Sequence, residues 1–442
     1  MGTVVALALI VAGVGVVSVS QGPRVQGAQL DAAAAVQAPA SLRFVINEAV
    51  APIRRAQVKV SHRVPVTVVS DGGVVLVKFG IALAYDTDYV VSISDVRSVG
   101  GGASSTLTHE FRTPPLGLDW LQRGVGGDSI LHVEAGRTPG KPTVLFRGDR
   151  IQDFLPLGDA VLVVSLAADG TNKADIVATD GPNRESLALP GPGTVGLLEY
   201  SGTSVLYTFS STAGAEGVPE FSDTLFRLDL SGTHESVPVT GINGAPLSVD
   251  GIHPVAGSTR VVLHSRAGEA LLWDTASTDP PSLIGAFAEL SAVSGDGARL
   301  AATDAAGPSI VTLGTGREER ITPSPLPGGV PYIADVIPLR GGRHLERVAL
   351  PSADFRSFEL SVAIDNGTTA NVLFRAAGRG SILSFEATAN EQYVIAEVSP
   401  GGVQADTDGY GSGARPTDVT IVVLDVATGR VVAERSGSHA RW

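Results

Sequence analysis

The chain has 442 residues, room for two or three domains with a large core, and 43% of them are apolar against 17% charged. That balance excludes a disordered chain. A net charge of −13 disfavours nucleic acid as a partner, because Lys and Arg must neutralise phosphates there. With no cysteine in the chain, disulfides, thiolate catalysis and Cys-ligated zinc are excluded together.

Lysine occurs only at Lys59, Lys78, Lys141 and Lys173, and arginine supplies the rest of the positive charge. With abundant Ala, Gly and Val, this bias points to a GC-rich bacterial genome. From Thr3 to Ser20 runs an uncharged apolar stretch, and the first charge in the chain is Arg24. As a helix that stretch measures about 27 Å, enough to span a hydrocarbon core. The expectation is a transmembrane anchor or signal peptide over 1–20, then an Ala- and Gln-rich tether over 21–41. Small-x-small sites at Ser18-Val19-Ser20 and Ala38-Pro39-Ala40 leave cleavage open. The folded part is expected outside the cytoplasm, on a single-pass anchor, or secreted if the segment is removed.

From Leu42 the pattern changes to short alternating runs rich in Val, Ile and Thr, which predict strands over 42–47, 57–61, 64–70, 74–79, 88–94 and 106–113. Asp71-Gly72-Gly73 between two Val-rich runs is a hairpin signal. This density of strands, with no helical period, reads as a small β-sandwich over 42–115. Within it, Leu83, Thr87, Tyr89 and the run Phe111-Arg112-Thr113-Pro114 resemble the second half of a bacterial Ig-like domain of the S-layer-protein (SbsA-like) type. The front half of that pattern is reduced to Phe44 and the run Asn47 to Pro52. Such a resemblance implies a spacer or adhesive module rather than a catalyst.

Residues 118–442 carry a repeat of roughly 46 residues, the signature of a β-propeller. The clearest inner turn is Val293-Ser294-Gly295-Asp296-Gly297, similar to the hairpin of TolB-like propellers, and Trp273-Asp274 resembles the dipeptide of WD repeats. Six units run over about 149–193, 194–243, 244–287, 288–328, 329–380 and 381–442, preceded by a three-strand piece over 118–149. Six complete units plus one lacking its inner strand predict seven blades; six blades and a docking hairpin is the alternative. The fold class is therefore all-β: an N-terminal membrane helix, an Ig-like sandwich and a propeller.

Catalytic motifs are sparse. Gly136-Arg137-Thr138-Pro139-Gly140-Lys141-Pro142 imitates a phosphate loop but has the wrong glycine spacing and a proline where a hydroxyl is needed. Arg147-Gly148-Asp149 is read as a chance tripeptide at a blade turn, and Asn366-Gly367-Thr368 as a hairpin turn. The eight histidines show no mutual spacing of a local zinc motif, and no Gly-x-Ser-x-Gly elbow is present. Asp406-Thr407-Asp408-Gly409 resembles half of a calcium loop and makes Asp406 and Asp408 weak metal candidates.

Each complete unit places a carboxylate on its inner strand: Asp153, Glu199, Asp250, Glu289, Asp335 and Glu386. No Lys or Arg stands on the cores of those six strands. Asp153, Asp250, Glu289 and Asp335 precede their inner turns by similar distances and are expected at one channel mouth, as ligand-binding residues. Glu199 and Glu386 lie closer to the turn and are expected deeper or turned away. The long loops Ser211–Ser222 and Ser399–Pro416 add Glu216, Glu220, Asp406 and Asp408 to that face. The functional expectation is a non-enzymatic binding or scaffolding protein of the cell envelope that presents its propeller on the Ig-like spacer. Its partner would be an envelope protein or basic ligand at the acidic face, with residues 3–20 in the membrane. No organic cofactor is called for, and a divalent cation is left open. The alternatives are a hydrolase or lyase working through channel carboxylates, or a carbohydrate-binding protein of the envelope.

Overall fold

Strand-forming runs of Val, Ile and Leu dominate the computed structural model, which describes residues 22–136, 140–213, 217–352, 354, 356–378, 380–401, 406–410 and 415–442. The apolar run 3–20, the stretch 137–139 of the imitation phosphate loop, and Glu216 lie outside the described residues. Among those described, no helix is long and apolar enough to cross a membrane. The chain divides into two compact units, 1–115 and 116–442.

The first unit has two sheets. One orders Val25–Gln29, Ser41–Ile46, Val74–Phe79 and Val66–Asp71; the other orders Val58–Val60, Asp88–Val96 and Ser105–Arg112. Alternation decides which side chains go inward: Leu42, Phe44 and Ile46 from one sheet meet Tyr89, Val91 and Ile93 from the other in a single core. The residues behind the Ig-like resemblance come together here. Tyr89 stacks on Phe111 with ring centres 5.3 Å apart, and its hydroxyl accepts from the Ala84 amide at 3.0 Å. The Thr113 hydroxyl donates to the Ala84 carbonyl at 2.6 Å and accepts from the Thr87 amide at 3.0 Å.

The tether expected over 21–41 is not one. Val25–Gln29 pairs antiparallel with Ser41–Ile46, and Ala32–Gln37 is a short helix capped by Asp31, whose carboxylate accepts from the Ala34 amide at 2.9 Å. Ala35 and Val36 are buried. The alanine run that looks like low-complexity spacer is also the best helix-forming composition, and its small side chains fit beneath the sheets.

The second unit is a propeller of, among the described residues, seven antiparallel four-stranded sheets with almost no helix. Blades 2 to 7 start from the inner strands Ile151–Pro156, Gly193–Ser201, Val249–Pro254, Glu289–Val293, Tyr332–Pro338 and Ser381–Ala387. Blade 1 contributes Leu116–Gln122, Asp128–Ala135 and Thr143–Gly148 from the start of the unit, and takes its innermost strand, Ser438–Arg441, from the end of the chain. Ser438 pairs with Leu121 and Arg441 with Asp119, while the Trp120 indole donates to the Ser436 carbonyl at 3.1 Å. Gly437, at φ +136°, makes the turn into this strand where a Cβ would come within 2.5 Å of the Leu121 carbonyl oxygen. Closure in this way gives blade 1 its fourth strand and covers the edge of Leu116–Gln122. Second strands such as Ser204–Ser211 and Tyr393–Ser399 are buried on both faces, which accounts for their unbroken apolar runs.

Inner turns of different blades also touch. A Cβ on Gly295 of blade 5 would lie 2.1 Å from the Ala389 carbonyl oxygen of blade 7. The Arg340 amide of blade 6 donates to Glu391 of blade 7 at 2.7 Å.

Candidate functional site

A cavity of about 450 Å³ opens between the inner strands of blades 1, 2, 3, 4 and 7. Asp153, Glu199, Asp250 and Glu386 line it from four of these strands, and His439 and Arg441 from the fifth. Asp223 and Arg415, at the ends of the two long loops, and Arg266, on a shorter turn between second and third strands, complete its charged lining with Glu397.

Arg441 sits at the centre of this arrangement. Its guanidinium donates to Glu199 at 2.9 Å and to the Leu198 carbonyl at 3.1 Å, and it lies 3.9 Å from Asp153. Burial works against its charge, but Glu199, Asp153 and Glu386 outweigh that and hold its pKa above the ordinary value. The strand carrying it is fastened by Glu397, which accepts from the Ala440 amide at 3.0 Å and from Arg415 at 2.6 Å. The His439 imidazole is kept well below its usual range by burial, reinforced by Arg415, Arg123 and Arg441, and is neutral.

Two acids respond to enclosure. Burial pushes Asp153 up against the pull of Arg441 and of the Phe154 amide, which donates to it at 2.8 Å. Glu386 is exposed to the channel, within the ring of inner strands. That enclosure, with Glu199 beside it, pushes its carboxyl up to about 7 against the pull of Arg441. Most other charges in the lining are paired: Asp223 with Arg266 at 2.6 Å, and Asp250 with His264 at 2.5 Å. Glu386 has no ion pair or hydrogen bond among the described residues.

Of the four acids expected at one mouth, the structure brings Asp153 and Asp250 to the cavity. Glu289 is exposed elsewhere on its strand and Asp335 pairs with Arg347, so neither lines it. Glu199 and Glu386, expected deeper or turned away, both line it. Each of the six inner strands read from the repeat carries a bulge (between Ile151 and Asp153, Val195 and Leu198, Val249 and Gly251, Leu290 and Ala292, Ile333 and Asp335, Ile382 and Ser384), and a bulge resets the face a side chain takes, so simple alternation does not carry through any of them. The absence of basic residues holds for the six strands read from the repeat, but the seventh carries Arg441. The four-residue strand Ser438-His439-Ala440-Arg441 is too short and too polar to show an apolar alternation. The signals that point to it are the missing inner strand of the first three-strand piece and Gly437 just before.

Asp408 is occupied by Arg123 on one oxygen, while the other accepts from the Tyr410 and Arg415 amides at 3.1 and 3.2 Å. Asp406 is exposed and belongs to no metal-sized cluster among the described residues. The described residues around Asp408 and Tyr410 act as a fastener. Arg123 lies 4.0 Å from the Tyr410 ring centre, and the Tyr410 hydroxyl donates at 2.5 Å to Asp128, which also accepts from the Ile151 amide at 2.7 Å. Blade 7 is thereby tied to blades 1 and 2. Glu220, on the other long loop, is exposed and outside the cavity lining.

No family model matches the chain, and no curated protein matches it. Among solved structures it is similar to an oligogalacturonate lyase in complex with manganese, at 12% identity over 77% of this chain and 94% of that one, with a TM-score of 0.44. It is also similar to the dihydro-heme d1 dehydrogenase NirN, at 17% identity over 75% and 76% of the two chains, with a TM-score of 0.43. A putative TolB from Agrobacterium tumefaciens matches at 12% identity over 58% of this chain and 86% of that one, with a TM-score of 0.37.

Proposed function

We propose that this chain is an exported, membrane-tethered binding protein, with residues 3–20 in the membrane, an Ig-like first unit as spacer, and a propeller that receives a basic group of a partner in its channel cavity. The observation that carries the reading is the charge of the cavity. Six carboxylates (Asp153, Glu199, Asp223, Asp250, Glu386 and Glu397) line it against three guanidiniums (Arg266, Arg415 and Arg441), beside a neutral His439. Glu386 is the acid left without a partner, and a Lys or Arg side chain entering the cavity would complete its pairing. Among the described residues no Trp, Tyr or Phe lines the cavity, which argues against sugar recognition by ring stacking. The Ig-like assignment of the spacer rests on Leu83, Thr87, Tyr89, Phe111 and Thr113.

Calorimetric titration of the propeller-containing chain with a lysine-rich peptide, calcium and magnesium tests the reading. Binding of the peptide that weakens at least tenfold in an Asp153→Asn/Glu386→Gln double variant supports it. No binding, or equal binding by both proteins, contradicts it. One observation favours a second reading: a carboxyl near 7 in a cavity is the type of group that serves as general acid or base. Turnover of any substrate in a hydrolase and glycosidase panel, abolished by Glu386→Gln, would replace the binding role with an enzymatic one.

A further inference from the structure

Away from the channel, blade 6 buries a second group of ionisable side chains. Its strands His344–Pro351 and Phe358–Asp365 pair so that His344 faces Asp365 and Glu346 faces Ala363. Strand alternation puts His344 and Glu346 on one side of the sheet, and the small Ala363 leaves room between them and Asp365. One ligand-type atom from each of the three residues lies within 4.8 Å of the others. His344 is 4% exposed, and Glu346 and Asp365 are fully buried.

The hydrogen bonds of this group do not close on themselves. The His344 Nε2 and a Glu346 oxygen are 2.9 Å apart. Asp365 accepts from the Ser324 amide at 3.0 Å, the Ser324 hydroxyl at 2.9 Å and the Gly367 amide at 2.7 Å. Yet Glu346 Oε2 and His344 Nδ1, both buried, have no hydrogen-bond partner. No Lys or Arg pairs with Glu346 or Asp365 among the described residues. Two buried carboxylates beside one imidazole, with a free acceptor between them, are expensive to desolvate unless a cation is present.

We infer that His344, Glu346 and Asp365 form a structural site for a transition-type divalent cation of the zinc and manganese class. One imidazole nitrogen with two carboxylates suits those ions, whereas magnesium and calcium prefer oxygen alone. Bonds of about 2.0–2.2 Å to a shared ion put ligand atoms roughly 3.3–3.6 Å apart, a separation below the 4.8 Å limit within which these atoms lie. Glu346 Oε2 gives the carboxylate a second oxygen for the ion, and Ser324 with Gly367 fixes the orientation of Asp365 as an outer shell does. Full burial denies the site to substrates, so its role is to hold the strands of blade 6 to the segment around Ser324, with the ion taken up as the blade folds.

The test uses the full chain, purified without metal-affinity steps. Metal content by plasma mass spectrometry, before and after chelation and reconstitution with zinc or manganese, is read beside the melting temperature. The expected result is about one equivalent of bound metal and a melting temperature raised by about 5 °C on loading. Glu346→Gln and His344→Gln are each expected to weaken binding at least tenfold, while Asp153→Asn/Glu386→Gln in the channel keeps the full equivalent. If neither blade 6 variant folds, wild-type metal content decides alone. Less than a tenth of an equivalent after reconstitution with both metals overturns the inference. So does binding undiminished in a folded Glu346→Gln, or binding lost only in the channel variant.

Discussion

Replacing Glu386 by glutamine removes one proton-binding group without changing its shape. In the unfolded chain that carboxyl titrates near its ordinary 4.5, and in the folded propeller it is pushed up to about 7 by enclosure and by Glu199. The folded state therefore holds its proton longer than the unfolded one, and stability falls as pH rises between the two values. Below about 4.5 both states are protonated and the group costs nothing; above about 7 the folded protein carries the whole penalty. At roughly 1.4 kcal/mol per pKa unit the ceiling is about 3 kcal/mol, and the channel-facing side of Glu386 reduces the expectation to about 1–2 kcal/mol. Glu386→Gln is thus expected to be close to wild type near pH 5 and more stable by about 1–2 kcal/mol at pH 8.5. All three tryptophans (Trp120, Trp273 and Trp442) belong to the propeller, so urea unfolding followed by their fluorescence reads this unit. A stability difference that does not change with pH, or a variant less stable at pH 8.5, would refute the reasoning.

Other substitutions probe closure and charge. Arg441→Met leaves Asp153 and Glu199 without their guanidinium and is expected to cost about 3 kcal/mol at pH 8.5, with a smaller loss at pH 5 where Glu386 takes up a proton; the same urea titrations measure it. Asp128→Ala removes the acceptor for the Ile151 amide and the Tyr410 hydroxyl, and a loss of about 3 kcal/mol is expected by denaturant unfolding. Removing residues 438–442 exposes the edge of Leu116–Gln122, so size-exclusion chromatography is expected to show aggregates in place of monomer. Gly295→Ala presses a methyl group against the Ala389 carbonyl and is expected to lower stability by about 1–3 kcal/mol, read as a fall in melting temperature.

Strands were legible wherever one face is buried and the other wet, as in Ser41–Ile46, or where a run is buried on both sides, as in Thr420–Asp425. Inner turns announced themselves through glycines such as Gly295, required by a close backbone approach. The helix Ala32–Gln37 was hidden because a tether and a short helix have the same Ala-rich composition, and only tertiary packing over Ala35 and Val36 tells them apart. At the candidate site, residue type was visible but orientation was not. Bulges in all six inner strands read from the repeat change which face a side chain takes, and a bulge leaves little trace in a single sequence. Arg441 escaped because its strand is completed by residues more than three hundred positions away, a pairing that no local periodicity encodes. His344, Glu346 and Asp365 escaped for a related reason: two of them are close in sequence, but the third reaches them only through strand register.

The central claim is that the channel cavity recognises positive charge and gains negative charge as Glu386 ionises. Fluorescence anisotropy of a labelled lysine-rich peptide against the full chain, at pH 6 and pH 8.5 and constant ionic strength, addresses both halves at once. The account predicts saturable binding that is severalfold tighter at pH 8.5, and no binding of a glutamate-rich peptide of equal length. Equal affinity for the two peptides, or binding of the lysine-rich peptide that weakens from pH 6 to pH 8.5, would contradict it.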